Sequence, residues 1–594
     1  MFILLSVEFQ INHWNPSIPV LGEHSSKIED LIFISDPCTS IPCLTRLISR
    51  FGAFSGYKIN MTKSEAMPLG KVTSIPDMSE PFPFQWSPSG FVYLGVSITP
   101  TFDKLYKANF PPLFKTIKED LIRWAPLPLS WLGRIALIKM NVLPRILYPL
   151  QMIPVLLTGK VIKELEGWLS SFIWSGRKPR LKLSKLQMAG VDGGLDLPNI
   201  RYYQLAAHLR VMVGWLKLDP SSIWLDIESS QSKCPLWNLL FVKDFKTVKE
   251  LCSNPITLCS VKAWKSIRSV EGRAKLTSPL TPIMHNPDFK PGHSDGGFGV
   301  WNAQGLRKLG DLFDGQTLLS FAQLQQRNGL DKSEFFRYLQ LRHFITKDTS
   351  LLTNSSASQV ERILSLQFST KLISIFYQAL LANSSSTSHT TKQAWEKDFG
   401  ILIDDVDWQE IWTYAKEISI CNRTKSIQYR ILHRIHITPA LKNKMDATAS
   451  PLCLKCKTDT GNYIHCLWSC VKLQNYWSDI VSELSSIFGV PIDLNPMCLL
   501  LGLPDGHLRK TEHKRLFNLL AFAARKNILL FWIKDVAPCK KSWHNIIMDC
   551  IPCEYITCML KSRLDVFYKT WDPYLSFIGH ALSAAVLRGF PSRP

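Results

Sequence analysis

The chain has 594 residues, a formal net charge of +21 and a mean hydropathy of +0.02. That length holds several domains with their own cores, and 46% hydrophobic residues exclude an intrinsically disordered chain. The cationic surplus points to phosphate-rich partners, RNA or DNA, and away from acidic ones.

The opening Met1–Val7 is apolar but lacks a basic leader and a small-residue cleavage site, so it does not read as a secretory signal. No run of about 18 apolar residues suggests a membrane span. A cytoplasmic or nuclear chain is expected, with reduced thiols. Clustered cysteines among the 15 then read as metal ligands before disulfides.

Glu29-Asp30 is a carboxylate pair ahead of the apolar run Leu31–Ile34, which suits a solvated strand edge followed by a buried strand. Residues 39–54 have helical spacing, with Ile41, Leu44, Leu47, Ile48 and Phe51 on one side. Gly56 breaks that helix, and Tyr57–Asn60 reads as a strand. Residues 91–98 read as another strand with a glycine bend at Gly95.

Residues 99–215 read as helical. Ser130 is a candidate N-cap and Pro144 a candidate stop. Between them Leu132, Ile135, Leu137, Ile138 and Val142 form a core face, leaving Arg134, Lys139 and Arg145 for phosphates. An ordinary amphipathic helix has the same periodicity. Further on, Arg177, Lys178, Arg180 and Lys182 fall within six positions beside Phe172 and Trp174. Cations next to aromatic rings suit RNA, whose bases can be splayed and stacked. Gly193-Gly194 is not a phosphate loop, because neither GxxxxGK[ST] nor GxGxxG surrounds it.

Residues 216–440 are harder to read. Gln428–Arg434 places two arginines and a histidine near one helical face, for RNA or for solvent. The Ser/Thr-rich stretches 354–358 and 383–391 read as exposed loops. Asp404, Asp405 and Asp407 read as the start of a helix carrying Trp408 and Trp412, not as a metal site.

Cys453, Cys456, His465 and Cys470 then form C-x2-C-x8-H-x4-C. Zinc takes four thiolate or imidazole ligands in a tetrahedron, and C-x2-C presents two thiolates together. Gly461 permits the chain to reverse between the halves, and Cys466 is a rival to His465. Four side-chain ligands leave no open position for water, so the role is structural or RNA-gripping. Residues 473–488 and 515–536 read as apolar-faced helices, and Arg509-Lys510 and Lys514-Arg515 add basic surface. Residues 549–594 carry nothing diagnostic.

Several of these stretches, in this order, resemble the reverse transcriptases of LINE-type (non-LTR) retrotransposons, from about Asn15 to about residue 540. Ser35-Asp36-Pro37 and Phe54–Glu65 resemble the end of the polymerase palm, with Lys63 where the family carries a lysine near the active site. Tyr93-Leu94-Gly95 resembles the primer-grip hairpin. Residues 105–110, 121–124 and 129–145 resemble the thumb. Gly193–Asn199, Tyr202-Tyr203, Phe335–His343, Tyr429–Arg434 and the cysteine-rich motif follow in family order.

The resemblance implies a mainly α, multidomain chain with a small α+β palm remnant. Residues 1–98 would be the truncated palm, 99–215 a helical thumb, 216–440 a helical connector, and 441–594 a C-terminal segment with a CCHC zinc knuckle. It implies RNA-directed DNA synthesis with magnesium, yet the family's Tyr-Ala-Asp-Asp is missing. Glu23-His24 is followed by Ser25–Ile34, and only Glu29 and Asp30 stand in for the paired aspartates. The family's upstream catalytic aspartate would precede residue 1. Two-metal catalysis demands tightly placed carboxylates. The chain therefore reads as a reverse-transcriptase-like fragment that binds RNA or DNA without synthesis. The alternatives are a decayed remnant, or a polymerase only when complemented by the missing fingers and palm; other retroelement-encoded proteins are further expected partners.

Overall fold

A computed structural model describes residues 2–11, 28–69, 75, 82–217, 223–274, 276–294, 297–347, 356–365, 370–383, 389–419, 421–504 and 506–579. Glu23, His24 and the segment up to Lys27 lie outside these residues. The chain is mainly helical with a few short strands. It forms two compact units interleaved in sequence. The first takes Met1–Arg123, Val142–Glu166 and Ile200–Asn383; the second takes Trp124–Asn141, Gly167–Asn199 and Ser384–Pro594.

In the first unit β1 (Phe2–Ile11) is the central strand of a sheet. It pairs antiparallel with β2 (Ile28–Ile34) on one side, and with β3 (Tyr57–Ile59) and β4 (Glu65–Leu69). β5 (Gln85–Trp86) runs parallel to β4. The buried run expected at Leu31–Ile34 is only half buried. Ile34 is in the core while Phe33 is 61% exposed, because an edge strand alternates faces and only one face is covered.

α1 (Pro37–Ser55) has a proline in its first turn, where a missing N–H costs nothing. It ends where Gly56 takes φ 76° and donates its N–H to Gly52 O at 2.9 Å. The single apolar face expected there is split: Ile41 is buried, but Leu47 and Phe51 are exposed. Residues 91–98 form a hairpin, β6 (Phe91–Tyr93) and β7 (Val96–Ile98). Leu94 (φ 47°) and Gly95 (φ 77°) supply the two left-handed positions of a tight turn that matches strand twist.

The helices α2 (Phe102–Trp124), α3 (Trp131–Leu137), α4 (Leu143–Met152) and α5 (Gly159–Ile173) follow. Ser130 caps α3 as expected, its Oγ accepting from Gly133 N at 3.1 Å. Pro144 does not stop the helix. The chain passes through a π-turn, Ile138–Val142, directly into α4, with Pro144 in the first turn of α4. The wider turn absorbs the hydrogen bond that proline cannot make.

The main core of the first unit gathers Trp215, Trp237 and Trp264 with Leu209, Met212 and Leu239. Within it Glu228 accepts from Trp215 Nε1 at 3.0 Å and Thr257 Oγ1 at 2.6 Å. Glu361 is fully buried and paired with Arg268 at 2.5 Å. Glu361 also accepts from Ser358 N while Ser358 Oγ accepts from Glu361 N, a reciprocal cap for the helix Gln359–Ser365. Ser358 is therefore buried, against the exposed loop expected there. Of the second Ser/Thr-rich stretch, Thr390 and Thr391 lie in the helix His389–Phe399, and residues 384–388 are outside the described residues.

The second unit is helical, with Asp405–Glu417, Asn422–Leu432, Val471–Phe488 and Thr511–Leu530 as its principal helices up to residue 530. Asp404 caps the first of these, accepting from Val406 N at 2.7 Å. Two further helices, Lys540–Leu560 and Leu564–Phe577, occupy sequence that offered no motif, and bury Ile551, Tyr555, Trp571 and Tyr574. No helix among the described residues is long and apolar enough to cross a membrane.

Candidate metal centre and nucleic-acid surface

Between Leu452 and Thr460 the second unit makes a short antiparallel bridge, closed by Cys453 N donating to Asp459 O at 2.8 Å. The chain reverses at Lys457, which takes φ 61°. Gly461 serves differently from the expected turn. A Cβ there would lie 2.9 Å from Pro439 and 3.1 Å from Cys453 Cα, so glycine gives room for close approach.

This ribbon presents Cys453 and Cys456. The π-turn His465–Ser469 presents His465, and Cys470 stands at the start of the helix Val471–Phe488. One ligand atom from each of the four lies within 4.8 Å of the others. Cys453 Sγ is 3.9 Å from Cys470 Sγ, and Cys456 Sγ is 3.3 Å from His465 Nε2. Two metal–sulfur bonds of about 2.3 Å at a tetrahedral angle separate their sulfurs by about 3.8 Å. The cluster could thus hold a metal ion such as zinc.

Cys466 is not among the four. Burial pushes its thiol up to about 12 and that of Cys470 up to about 11, so it is position and not acidity that separates the two. Burial also opposes ionisation of Cys456, but hydrogen bonds from Thr458, Asp459 and His465 outweigh it and bring that thiol down to about 6. Cys453, His465 and Cys470 are buried and Cys456 half-buried. Nearby, the buried Lys455 donates to Phe531 O at 2.8 Å and Lys534 O at 3.2 Å. The cluster thereby ties the ribbon to the end of the helix Thr511–Leu530. Such a buried, closed set suits a structural staple.

The basic segment lies in the same unit. Arg177, Lys178, Arg180 and Lys182 are all exposed. Ser175 (φ 52°) and Gly176 (φ 72°) turn the chain out of α5. Arg180 Nη2 donates to Ile435 O at 2.6 Å, which anchors the loop. The aromatic half of the expected RNA surface is only partly open, with Trp174 half-buried. Phe172 is buried beneath the Arg134 guanidinium, and Trp174 packs on Trp131 at 5.6 Å.

Arg134 departs from expectation most sharply. It is 5% exposed and donates to Phe172 O, Ala125 O and Leu127 O at 3.2, 2.8 and 3.3 Å. It faces inward onto those carbonyls and the Phe172 ring, so it is not free for phosphate. Lys139 is half-buried in the π-turn.

In the first unit Arg145 is half-buried and paired with Asp120 at 2.6 Å, and Arg123 takes the other carboxylate oxygen at 2.6 Å. Tyr148, one turn beyond Arg145, donates to Leu94 O at 2.6 Å and joins α4 to the β6–β7 hairpin. This brings the half-buried Tyr93 and exposed Gly95 toward the helix of Arg145. Lys63 is exposed in the loop between β3 and β4. Glu29 and Asp30 stand opposite Glu8 and Val7 inside the continuous β1–β2 ladder, not at a hairpin turn.

One constellation escaped sequence reading. Gly193 sits at φ 86°, and its carbonyl accepts from the Tyr429 hydroxyl and lies 2.8 Å from His433 Nε2. Trp412 packs against both rings, at 5.2 and 4.8 Å. Burial pushes His433 down to about 4, so it is neutral and donates from Nε2. Of the face Gln428–Arg434 expected for RNA or solvent, Arg430 is exposed, and His433 and Arg434 are half-buried. Gln428 and Tyr429 are buried, and Arg434 is paired with Asp398 and donates to Ala394 O. The paired glycines were the only local signal, since their partners lie more than 200 residues away. No protein-family model matches this chain.

Proposed function

We propose that the chain is a nucleic-acid-binding protein related to LINE-type reverse transcriptases, with no competent polymerase site and with its second unit stapled by zinc. The observation that carries the binding is the anchored, exposed run Arg177, Lys178, Arg180 and Lys182 on a chain of net charge +21. Exposed cations held on a fixed loop exchange counterions with a phosphate backbone at little ordering cost. Neither base-stacking nor sequence readout is part of this reading, because Phe172 is buried and the half-buried Trp174 is engaged with Trp131.

The absence of synthesis rests on Glu29 and Asp30. They alone stand in for the family's Tyr-Ala-Asp-Asp, inside a continuous strand ladder and not at a hairpin turn, whereas a two-metal centre needs tightly placed carboxylates. Kinship with the reverse transcriptases is supported by the motif order in sequence. It is also supported by a sheet, helix and hairpin in residues 2–98 that are compatible with a palm. Zinc is favoured over magnesium or calcium because three thiols and an imidazole are soft or borderline donors.

Fluorescence anisotropy with a labelled single-stranded RNA tests the reading across a salt series. Affinity should fall linearly with salt on a double-logarithmic plot, and neutralising the four residues should lower the slope by about 2 to 3, near 0.7 per contact on a single strand. Arg180 contributes least because its guanidinium is already engaged. Folded protein that binds no RNA at low salt, or a slope that the quadruple variant leaves unchanged, would overturn the assignment.

A further inference from the structure

Thr511, Lys514, Arg515 and Asn518 follow one another along a single face of the helix Thr511–Leu530. They form one wall of a cleft of about 430 Å³, faced by Tyr414 and Ile418. A cleft of that size suits a small organic ligand. Tyr414 is held by a bond from its hydroxyl to Glu410 at 2.7 Å, so its ring stands as a fixed wall.

The charge of this cleft is one-sided. Lys425, Lys514 and Lys561 line it, and Glu417 is the single acid among its lining residues. Arg515 is held in place by the buried Glu554 at 3.0 Å, which also accepts from Ser419 Oγ at 2.9 Å. The helix begins at Thr511 behind Lys510, whose side chain caps nothing, so its positive end is open to an anion.

The floor supplies an independent sign of a ligand. Asn518 is 2% exposed, and neither its Oδ1 nor its Nδ2 has a hydrogen-bond partner among the described residues. Arg525, seven residues on, is fully buried, with Nη1 on Leu499 O at 2.5 Å and with Nε and Nη2 unpartnered. Both side chains converge on Gly502, where a Cβ would meet Asn518 Oδ1 at 3.2 Å and Arg525 Nη2 at 3.6 Å. Buried amides are normally satisfied, so one left open on a cleft floor marks a place for a partner.

We propose that this cleft binds a nucleotide, with its phosphates at Thr511, Lys514 and Lys561, its base against Tyr414 and Ile418, and one base edge read by Asn518. From Thr511 to Asn518 the helix advances about 10 Å. That matches the reach from a nucleotide's phosphates to the far edge of its base. An amide offers a donor and an acceptor side by side, the pairing that asparagine uses on base edges. The nucleotide is free or sits at the end of a strand, and the site does not depend on the Arg177–Lys182 run.

Isothermal titration of the full chain with ATP, UTP, inorganic tripolyphosphate and a 5′-phosphorylated trinucleotide tests the proposal. A nucleotide should bind more tightly than tripolyphosphate. Asn518→Leu should weaken nucleotide binding by about tenfold and leave tripolyphosphate unchanged. Lys514→Gln with Lys561→Gln should weaken both. A trinucleotide that outcompetes ATP identifies the strand end as the source, and the reverse order identifies free nucleotide. Arg177→Gln with Lys178→Gln should weaken RNA binding and leave the nucleotide titration unchanged, which separates this site from the basic run. No binding by the native chain, or nucleotide and tripolyphosphate bound equally and insensitive to Asn518→Leu, would overturn it. Should Asn518→Leu not fold, the exposed Lys561→Gln variant decides alone, and unchanged nucleotide affinity there overturns the site.

Discussion

His433 Nε2 lies 2.8 Å from the carbonyl oxygen of Gly193, with the ring held between Trp412 and Tyr429. The geometry requires a neutral imidazole with its proton on Nε2, and His433 Nδ1 is buried without a partner. Burial accordingly pushes the group from its ordinary 6.5 down to about 4. Below pH 6.5 the unfolded chain takes up a proton that the folded chain refuses until about pH 4. Stability from this group therefore rises with pH across that window and is fully present above it. The loss on acidification is up to about 3 kcal/mol, at about 1.4 kcal/mol per pH unit. Urea unfolding of the native chain and His433→Gln at pH 7 and pH 4.5 checks this. The native chain should lose more stability on acidification than the variant. Equal losses would mean that His433 titrates normally.

How much of this could be read from the sequence depends on distance along the chain. The four residues of the Cys/His cluster lie within 18 positions, and their local spacing brings them together. Asp404, Ser130 and Gly56 are local capping devices and act where they were expected. Arg134 was misread because its three acceptors lie 7 to 38 residues away, so periodicity could not show which way it turned. Tyr429 and Gly193 are 236 residues apart, beyond any local pattern. The central strand β1 passed as an apolar opening because its first residues were weighed as a leader, although Ser6, Glu8 and Gln10 alternate with Leu5, Val7 and Phe9.

Gly194 has a stricter steric requirement than Gly193. A Cβ on Gly194 would fall 1.8 Å from Met188 O, and one on Gly193 would fall 2.6 Å from the Trp412 ring. Backbone cannot yield as a flexible side chain can. Gly194→Ala should cost about 3 kcal/mol, at the upper end of overpacking penalties. Gly193→Ala adds the strain of φ 86° to its clash and should cost a similar amount. Thermal melts check both, and a change under about 0.5 kcal/mol, the scale of an ordinary surface substitution, would show that the loop relaxes freely.

Metal content should be one zinc per chain by native mass spectrometry, lost in Cys453→Ser and in Cys470→Ser but retained in Cys466→Ser, since Cys466 is outside the cluster. Metal bound only by the folded state stabilises it by about 2.7 kcal/mol at 100 times its Kd. Chelation should therefore lower Tm, and zinc, not magnesium, should restore it. Thiols must lose protons to ligate, so affinity should weaken as pH falls. Loss of zinc in Cys466→Ser with retention in Cys470→Ser would exchange the two ligands.

Arg134 separates a structural cation from a binding one. Its guanidinium spans three backbone carbonyls and stacks 4.9 Å above Phe172; Leu127 O also accepts from Leu129 N and Phe172 O from Ser175 N, so Ala125 O depends on it most. Arg134→Met keeps the length of the stem but leaves Ala125 O without its donor and takes the second donor from Leu127 O and Phe172 O. A single unsatisfied buried group costs about 1 to 3 kcal/mol, and the variant should lose about that much. Arg134→Lys should recover only part, because an ammonium cannot reproduce the planar fork. RNA affinity of the folded variant, measured well below its Tm, should keep the native salt slope. In Lys178→Gln the opposite pair of results is expected: native stability and a shallower slope. If Arg134→Met instead flattened the slope at unchanged Tm, the side chain would have to swing outward in solution and meet phosphate after all.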